Sequence, residues 1–100
     1  MITIPLALVF LSTLADIVIG NCAVCQTVAQ RAEFHLEDGK PPETFAKGEC
    51  GLNMILYPTI QKVNQCKAIA PQIMGNSQYV KLLLRPGKQY KNVCNSLKLC

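Results

Sequence analysis

Six cysteines constrain the fold of this chain more than any other feature. They form a close pair near the start, two isolated positions in the middle and a wider pair at the end: Cys22, Cys25, Cys50, Cys66, Cys94 and Cys100. A high, even number of cysteines in a chain of 100 residues indicates a disulfide framework, provided that the protein folds in an oxidising compartment. Because so short a chain buries only a small core, such cross-links would contribute much of its stability.

The N-terminal segment predicts that compartment. The first 15 residues are mostly apolar and uncharged, and Asp16 ends the run. A membrane anchor is the weaker interpretation, because a bilayer span needs about 18–20 apolar residues. The run is typical of a secretory signal peptide, with acceptable cleavage sites after Ala15 and after Gly20. We therefore expect a signal peptide over residues 1–20, one domain over residues 21–100, and a secreted protein that acts outside the cell or in the lumen of an acidic vesicle.

Charge is distributed unevenly along the predicted domain. Loss of residues 1–20 would leave ten Lys and Arg against five Asp and Glu, a net charge of +5. No acidic residue follows Glu49, whereas the basic residues Lys62, Lys67, Lys81, Arg85, Lys88, Lys91 and Lys98 do. A cationic half in a secreted protein favours anionic membrane surfaces or polyanions as partners, although it can equally serve only to keep the surface soluble.

Helical periodicity begins close to the first cysteine pair. Apolar positions recur at spacings of three and four and define one stripe: Cys22, Cys25, Val28, Ala29, Ala32, His35 and Leu36. The simplest interpretation of His35 is a partly buried, hydrogen-bonded side chain. The alternative is a pH switch, in which protonation at acidic pH charges the stripe and loosens the fold.

The rest of the domain also reads as helical. Further helices are predicted over about 43–57, 59–74 and 79–84, with one or two more turns over about 88–94. Gly48 and Gly51 disfavour the first of these, Pro58 is best placed in the first turn of the next, and Pro71 should kink it. Because strand-like alternation is absent from the sequence, we predict a small all-α fold, a disulfide-stapled bundle of four to five helices with three disulfides.

Six thiols allow fifteen pairings, and the sequence alone does not choose among them. Antiparallel pairing of the two ends would give the bridges Cys22–Cys100 and Cys25–Cys94. Cys50 and Cys66 would then remain to form a local bridge. Zinc is a weaker alternative, because Cys94 and Cys100 are too far apart for the usual ribbon or finger. A redox motif is also weaker, because its Cys-x-x-Cys should follow a strand. We expect no metal and no cofactor.

The arrangement resembles the saposin-like (saposin B-type) domain family over residues 21–100. The matching features are Cys22-Ala23-Val24-Cys25, the single Cys50 and Cys66, and above all the closing stretch Val93-Cys94-Asn95-Ser96-Leu97-Lys98-Leu99-Cys100. Pro71 and Pro86 also lie where this family tends to place proline. The resemblance implies the same nested disulfide pairing, and it implies a protein that interacts with lipid.

Within that family, the basic second half favours a secreted antimicrobial protein that permeabilises membranes, similar to amoebapores and caenopores. The alternative is a lipid-binding carrier or an activator of lipid hydrolases. Expected partners are lipids and anionic membrane surfaces, with a homodimer or higher oligomer on membranes and no nucleic acid. We expect no enzymatic activity, because the sequence has no nucleophile motif and only one histidine.

The residues expected to contact lipid are Lys62, Lys67, Tyr79, Lys81, Leu82, Leu83, Arg85, Lys88 and Lys91. For at least two of the leucines at 82–84, packing in the core is the stronger interpretation.

Overall fold

The computed structural model describes residues 21–100, so the predicted signal peptide lies outside the described residues. Five helices make up this part of the chain: α1 (21–37), α2 (Phe45–Glu49), α3 (Ile60–Met74), α4 (Ser77–Leu83) and α5 (Tyr90–Ser96). A single 3₁₀ turn, Pro42–Thr44, leads into α2, and residues 21–100 contain no β-strand. The prediction of a small all-α fold with three disulfides is confirmed.

One apolar cluster holds the helices together. Helix α1 supplies Val24 and five residues of the predicted stripe, Cys25, Val28, Ala29, Ala32 and Leu36, while α3 supplies Val63, Cys66, Ile69, Ala70 and Ile73. Leu83 of α4 and Val93 and Cys94 of α5 complete the cluster from the second half of the chain, and Phe45 and Tyr57 enter it from the region of α2. Its members recur at helical spacing, which explains why periodicity predicted α1 and α3 well.

Side-chain caps fix the N-termini of α3 and α4. Thr59 caps α3, because its Oγ1 accepts a hydrogen bond of 3.2 Å from the Lys62 N–H. Asn76 caps α4 in the same way, accepting a bond of 2.9 Å from the Gln78 N–H. Pro58 therefore precedes the cap of α3, and the prediction that it occupies the first turn is wrong. The helix continues through Pro71 to Met74.

Three disulfides cross-link this bundle: Cys22–Cys100, Cys25–Cys94 and Cys50–Cys66. These pairs coincide with the nested arrangement considered from the sequence. Cys25 and Cys94 are wholly buried, whereas Cys22 is half-buried and Cys100 is exposed. Three disulfides in so small a domain are typical of proteins that fold in an oxidising, secretory-type compartment.

The second helix is much shorter than predicted. It ends at Glu49, and residues 50–59 form a loop in which Asn53 and Tyr57 face each other as an isolated antiparallel bridge. Their backbone groups exchange hydrogen bonds of 3.1 and 3.0 Å. The Asn53 Oδ1 accepts from the N–H groups of Ile55 and Leu56, at 2.8 and 3.1 Å. Asparagine offers the backbone this alternative to a helix, which outweighs the helical spacing of the apolar residues.

Candidate functional site

Six of the cations expected to contact lipid are exposed, and together we call them the basic surface: Lys62, Lys67, Lys81, Arg85, Lys88 and Lys91. They are spread over α3, α4, the α4–α5 connection and α5 rather than gathered at one point. Ion pairs within residues 21–100 join Arg31 to Glu49 and Lys40 to Asp38, all in the first half of the domain. None of the six cations of the basic surface forms an ion pair with another residue of the range 21–100.

The apolar residues expected beside these cations are placed differently. Leu83 is 1% exposed and belongs to the core, so in this conformation it cannot contact a membrane. Leu82 and Tyr79 are half-buried against the same core, and the Tyr79 hydroxyl shares a hydrogen bond of 3.1 Å with Ser96 Oγ. A helix of seven residues must turn its apolar face inward to complete the cluster. Of this leucine run, only Leu84 is more than half exposed.

The most exposed apolar side chains lie elsewhere, in a segment that the sequence assigned to a helix. We call residues 52–57 the apolar turn. Met54 and Ile55 at its tip are 93% and 89% exposed, and Leu52 and the nearby Ile60 are about two-thirds exposed. Asn53, flanked by Gly51 and Pro58, was the sequence signal that could have located this turn, because these residue types favour turns over helix.

Tyr57 anchors the apolar turn to the rest of the domain. Its side chain is wholly buried, and its hydroxyl donates a hydrogen bond of 2.9 Å to Glu49 Oε2. The Arg31 Nε lies 3.2 Å from both oxygens of the same carboxylate. Burial, and then the bond to Glu49, raise the pKa of the Tyr57 hydroxyl, which therefore remains a donor at physiological pH. The Cys50–Cys66 bridge ties the base of the turn to α3.

His35 is half-buried and hydrogen-bonded. Its Nε2 lies 2.7 Å from the Pro41 carbonyl oxygen and 3.2 Å from Thr44 Oγ1, and its ring meets Phe45 edge-on at 5.3 Å. A carbonyl oxygen only accepts, so Nε2 carries the proton. The pH-switch role of His35 stays a prediction.

Two concave regions flank α2. A polar cleft of about 470 Å³ opens beside His35 and is lined by Arg31, Asp38, Lys40 and Glu49 among others. A more apolar groove of about 350 Å³ lies between the start of α2 and the end of α3, lined by Ala46, Ala70, Pro71 and Met74 among others. The groove is a place in the described fold where an apolar ligand could lie against the surface.

Among the described residues, one acidic side chain is buried. Glu33 of α1 is 6% exposed, and the charges that act on it are those of Glu37 on the same helix and Lys88 ahead of α5. Loss of solvation, followed by repulsion from Glu37, raises the pKa of Glu33 above the ordinary glutamate value, while the backbone N–H of Gln89 and the charge of Lys88 oppose the shift.

From residue 21 onward, no three His, Cys, Asp or Glu side chains lie close enough together to hold a metal ion. No helix in that range is long and apolar enough to cross a bilayer.

Comparison with known proteins adds no assignment to this geometry. No protein-family model, no curated protein and no solved structure matches the chain significantly.

Proposed function

We propose that the protein is a secreted, saposin-like protein that binds anionic lipid membranes and permeabilises them, as an antimicrobial or pore-forming defence protein. The observation that carries the proposal is the basic surface. Its six exposed cations form no ion pair within the described residues, and they lie in a half of the domain that has no acidic residue. The nested disulfides and the all-helical fold support it, because they are what a saposin-like domain requires.

The charge is large enough to matter at a membrane. Each Lys or Arg close to an anionic surface contributes about 1 kcal/mol to binding. Binding of this kind weakens as salt screens the charges, whose reach falls to about 10 Å at 0.1 M ionic strength. A protein that acts through the basic surface should therefore prefer anionic to zwitterionic lipid and should lose that preference at high salt.

Dye release from vesicles tests both the binding of the membrane and its permeabilisation. Vesicles of phosphatidylcholine with phosphatidylglycerol should leak when the protein is added at low salt, and vesicles of phosphatidylcholine alone should not. The double variant Lys88→Gln/Lys91→Gln should bind the anionic vesicles about thirty-fold more weakly, from about 1 kcal/mol for each charge.

The matched control is Lys40→Gln/Lys47→Gln, which removes the same charge from the first half of the domain. Equal losses in the two double variants would mean that total charge, rather than the basic surface, governs binding. Leakage that is indifferent to lipid charge and to salt would overturn the proposal.

The second candidate function is a lipid carrier or an activator of lipid hydrolases. The apolar groove between α2 and α3 favours it, since its lining of Ala46, Ala70 and Met74 suits part of an acyl chain. A carrier should move labelled lipid from donor to acceptor vesicles without releasing their dye. Transfer without leakage would select this function over permeabilisation.

Assembly is the remaining part of the proposal. We propose that homodimers or higher oligomers form on the membrane, where binding concentrates the protein. Chemical cross-linking should then give oligomers with anionic vesicles and monomers in their absence.

A further inference from the structure

The apolar turn is the feature that the proposed function leaves unexplained. Soluble domains scatter single apolar residues over their surface, but four side chains at 66–93% exposure within nine residues form a local patch: Leu52, Met54, Ile55 and Ile60. The two most exposed of them, Met54 and Ile55, occupy the tip and contribute nothing to the core. Exposure of this apolar surface to water is energetically unfavourable, and packing within the domain does not explain why the turn is exposed.

The turn is also held rigidly. The Asn53–Tyr57 bridge closes its ends, and the Asn53 side chain binds two backbone N–H groups within it. Tyr57 fixes the turn to the core, and Cys50–Cys66 fixes its base to α3. A segment that is already ordered loses little conformational entropy when its tip is buried by a partner, which favours binding.

The charges around the turn define the partner. Residues 50–61 carry no charged side chain, Lys62 follows at once on the first turn of α3, and Lys67 lies further along the same helix. The preceding acid, Glu49, is neutralised by Arg31 and bound by Tyr57. In a bilayer of anionic lipid, the phosphates lie at the surface and the hydrocarbon lies beneath them. An apolar tip followed along the chain by cations has the same sequence of apolar and charged layers.

A protein partner fits this geometry less well. A specific protein interface needs about 800 Å² from each partner, and a patch of four exposed apolar side chains does not supply such an area.

We propose that the apolar turn inserts Met54 and Ile55 into the hydrocarbon of an anionic membrane, while Lys62 and Lys67 contact the phosphates above them. The inference rests on the proposed function and names the part of the protein that enters the lipid. It differs from the sequence expectation, which placed the apolar lipid contacts at Tyr79, Leu82 and Leu83.

Tryptophan insertion tests it directly, because the chain contains no tryptophan. Ile55→Trp places a single fluorophore at the tip, and Phe34→Trp places one at a half-exposed apolar position on α1. With vesicles of phosphatidylcholine and phosphatidylglycerol, the Ile55→Trp emission should shift to the blue and be quenched by lipids brominated in their acyl chains. The Phe34→Trp emission should change little under the same conditions.

A second pair of variants measures the contribution to binding by cosedimentation with the same vesicles. Met54→Gln/Ile55→Gln should reduce partitioning about a hundred-fold, since each buried aliphatic side chain contributes about ten-fold. Phe34→Gln should leave partitioning unchanged. Both changes lie at exposed positions, and circular dichroism with the mass of the non-reduced protein confirms that each variant keeps its fold and its bridges.

The outcomes separate the two proposals. Cosedimentation without a blue shift or quenching at residue 55 would overturn the insertion of the turn and leave membrane binding standing. Failure of the unmodified protein to bind vesicles, whether of phosphatidylcholine alone or with phosphatidylglycerol, would overturn both membrane binding and the insertion of the turn. A blue shift of Ile55→Trp that grows with protein concentration in the absence of vesicles would show that a second copy covers the turn, and would overturn its assignment to lipid.

Discussion

The Tyr57 hydroxyl donates a hydrogen bond of 2.9 Å to Glu49 Oε2 from a side chain that is wholly buried. Arg31 of α1 binds the same carboxylate through Nε, at 3.2 Å from each oxygen. Glu49 therefore joins α1, the end of α2 and the apolar turn. Because the chain folds back at Asn53, Tyr57 reaches the core while Met54 and Ile55 remain outside it.

Removal of the Tyr57 hydroxyl should destabilise the domain measurably. Tyr57→Phe keeps the buried ring but deprives Glu49 of a donor, and a bond to a charged group contributes about 1.5–3 kcal/mol. We expect a loss of that size in the free energy of unfolding by guanidinium with the disulfides intact. Tyr79→Phe is the matched control, because its half-buried hydroxyl bonds only to Ser96 and should contribute about 0.5 kcal/mol. Equal losses would contradict the special role of the Glu49 junction.

Substitution of alanine for Gly75 and for Gly48 should change the stability of the domain in opposite directions. A Cβ at Gly75 would lie 2.6 Å from the Pro71 carbonyl oxygen, which already accepts a bond of 2.8 Å from the Gly75 N–H. Since that atom is backbone, Gly75→Ala should cost about 1–3 kcal/mol. Gly48 lies inside α2 with nothing within 4 Å of such a Cβ. Gly48→Ala should therefore stabilise the domain by up to about 1 kcal/mol through helix propensity. Thermal unfolding of the two variants checks the signs, and a loss at both positions would count against this explanation.

These contacts also show why the sequence predicted some elements better than others. The stripe of α1 and the apolar face of α3 repeat at helical spacing and pack in one cluster, so local pattern and tertiary packing agree there. In residues 52–57 the local sequence pattern and the tertiary packing disagree. Leu52 and Ile55 keep helical spacing by coincidence, whereas the Asn53 side chain and the burial of Tyr57 determine the backbone. Periodicity carries no information about such side-chain bonds.

Among the candidate lipid-contacting residues, the sequence predicted the charged ones better than the apolar ones. Charged residues such as Lys88 and Lys91 are readily placed on the surface, because an unpaired charge is costly to bury. Apolar residues are ambiguous, because the same side chain suits a core and a membrane. Leu83 and Ile55 are both aliphatic in apolar segments, yet one is 1% and the other 89% exposed. Only the position of each segment relative to the core distinguishes them.

Accessibility predicts the order in which the disulfides are reduced. Cys22–Cys100 lies partly at the surface, whereas both sulfurs of Cys25–Cys94 are buried. A thiol reductant must reach a sulfur atom to attack it. Brief reduction at low concentration of reductant, followed by alkylation and peptide mass spectrometry, should therefore label Cys22 and Cys100 first. Labelling of Cys25 and Cys94 before them would contradict the burial of that bridge.

The buried carboxyl of Glu33 should make stability depend on pH. Burial, followed by repulsion from Glu37, raises its folded-state pKa above 4.5, the ordinary glutamate value expected in the unfolded chain. Between those two values the folded protein binds more protons than the unfolded chain, so this group makes the free energy of unfolding increase as the pH falls. Above the folded-state pKa the buried charge opposes folding, and below 4.5 both states are protonated.

Glu33→Gln isolates that contribution, because it replaces the carboxyl with a neutral group of the same shape. The variant should be more stable than the unmodified protein at pH 7, and this advantage should shrink as the pH falls through the raised pKa of Glu33 towards 4.5. Glu43→Gln, at an exposed position, is the control for the loss of one carboxylate. Guanidinium unfolding of the three proteins between neutral and acidic pH measures the differences. An advantage of Glu33→Gln that stays constant with pH would mean that Glu33 does not carry a buried charge at neutral pH, and an advantage that grows on acidification would reverse the sign of its contribution.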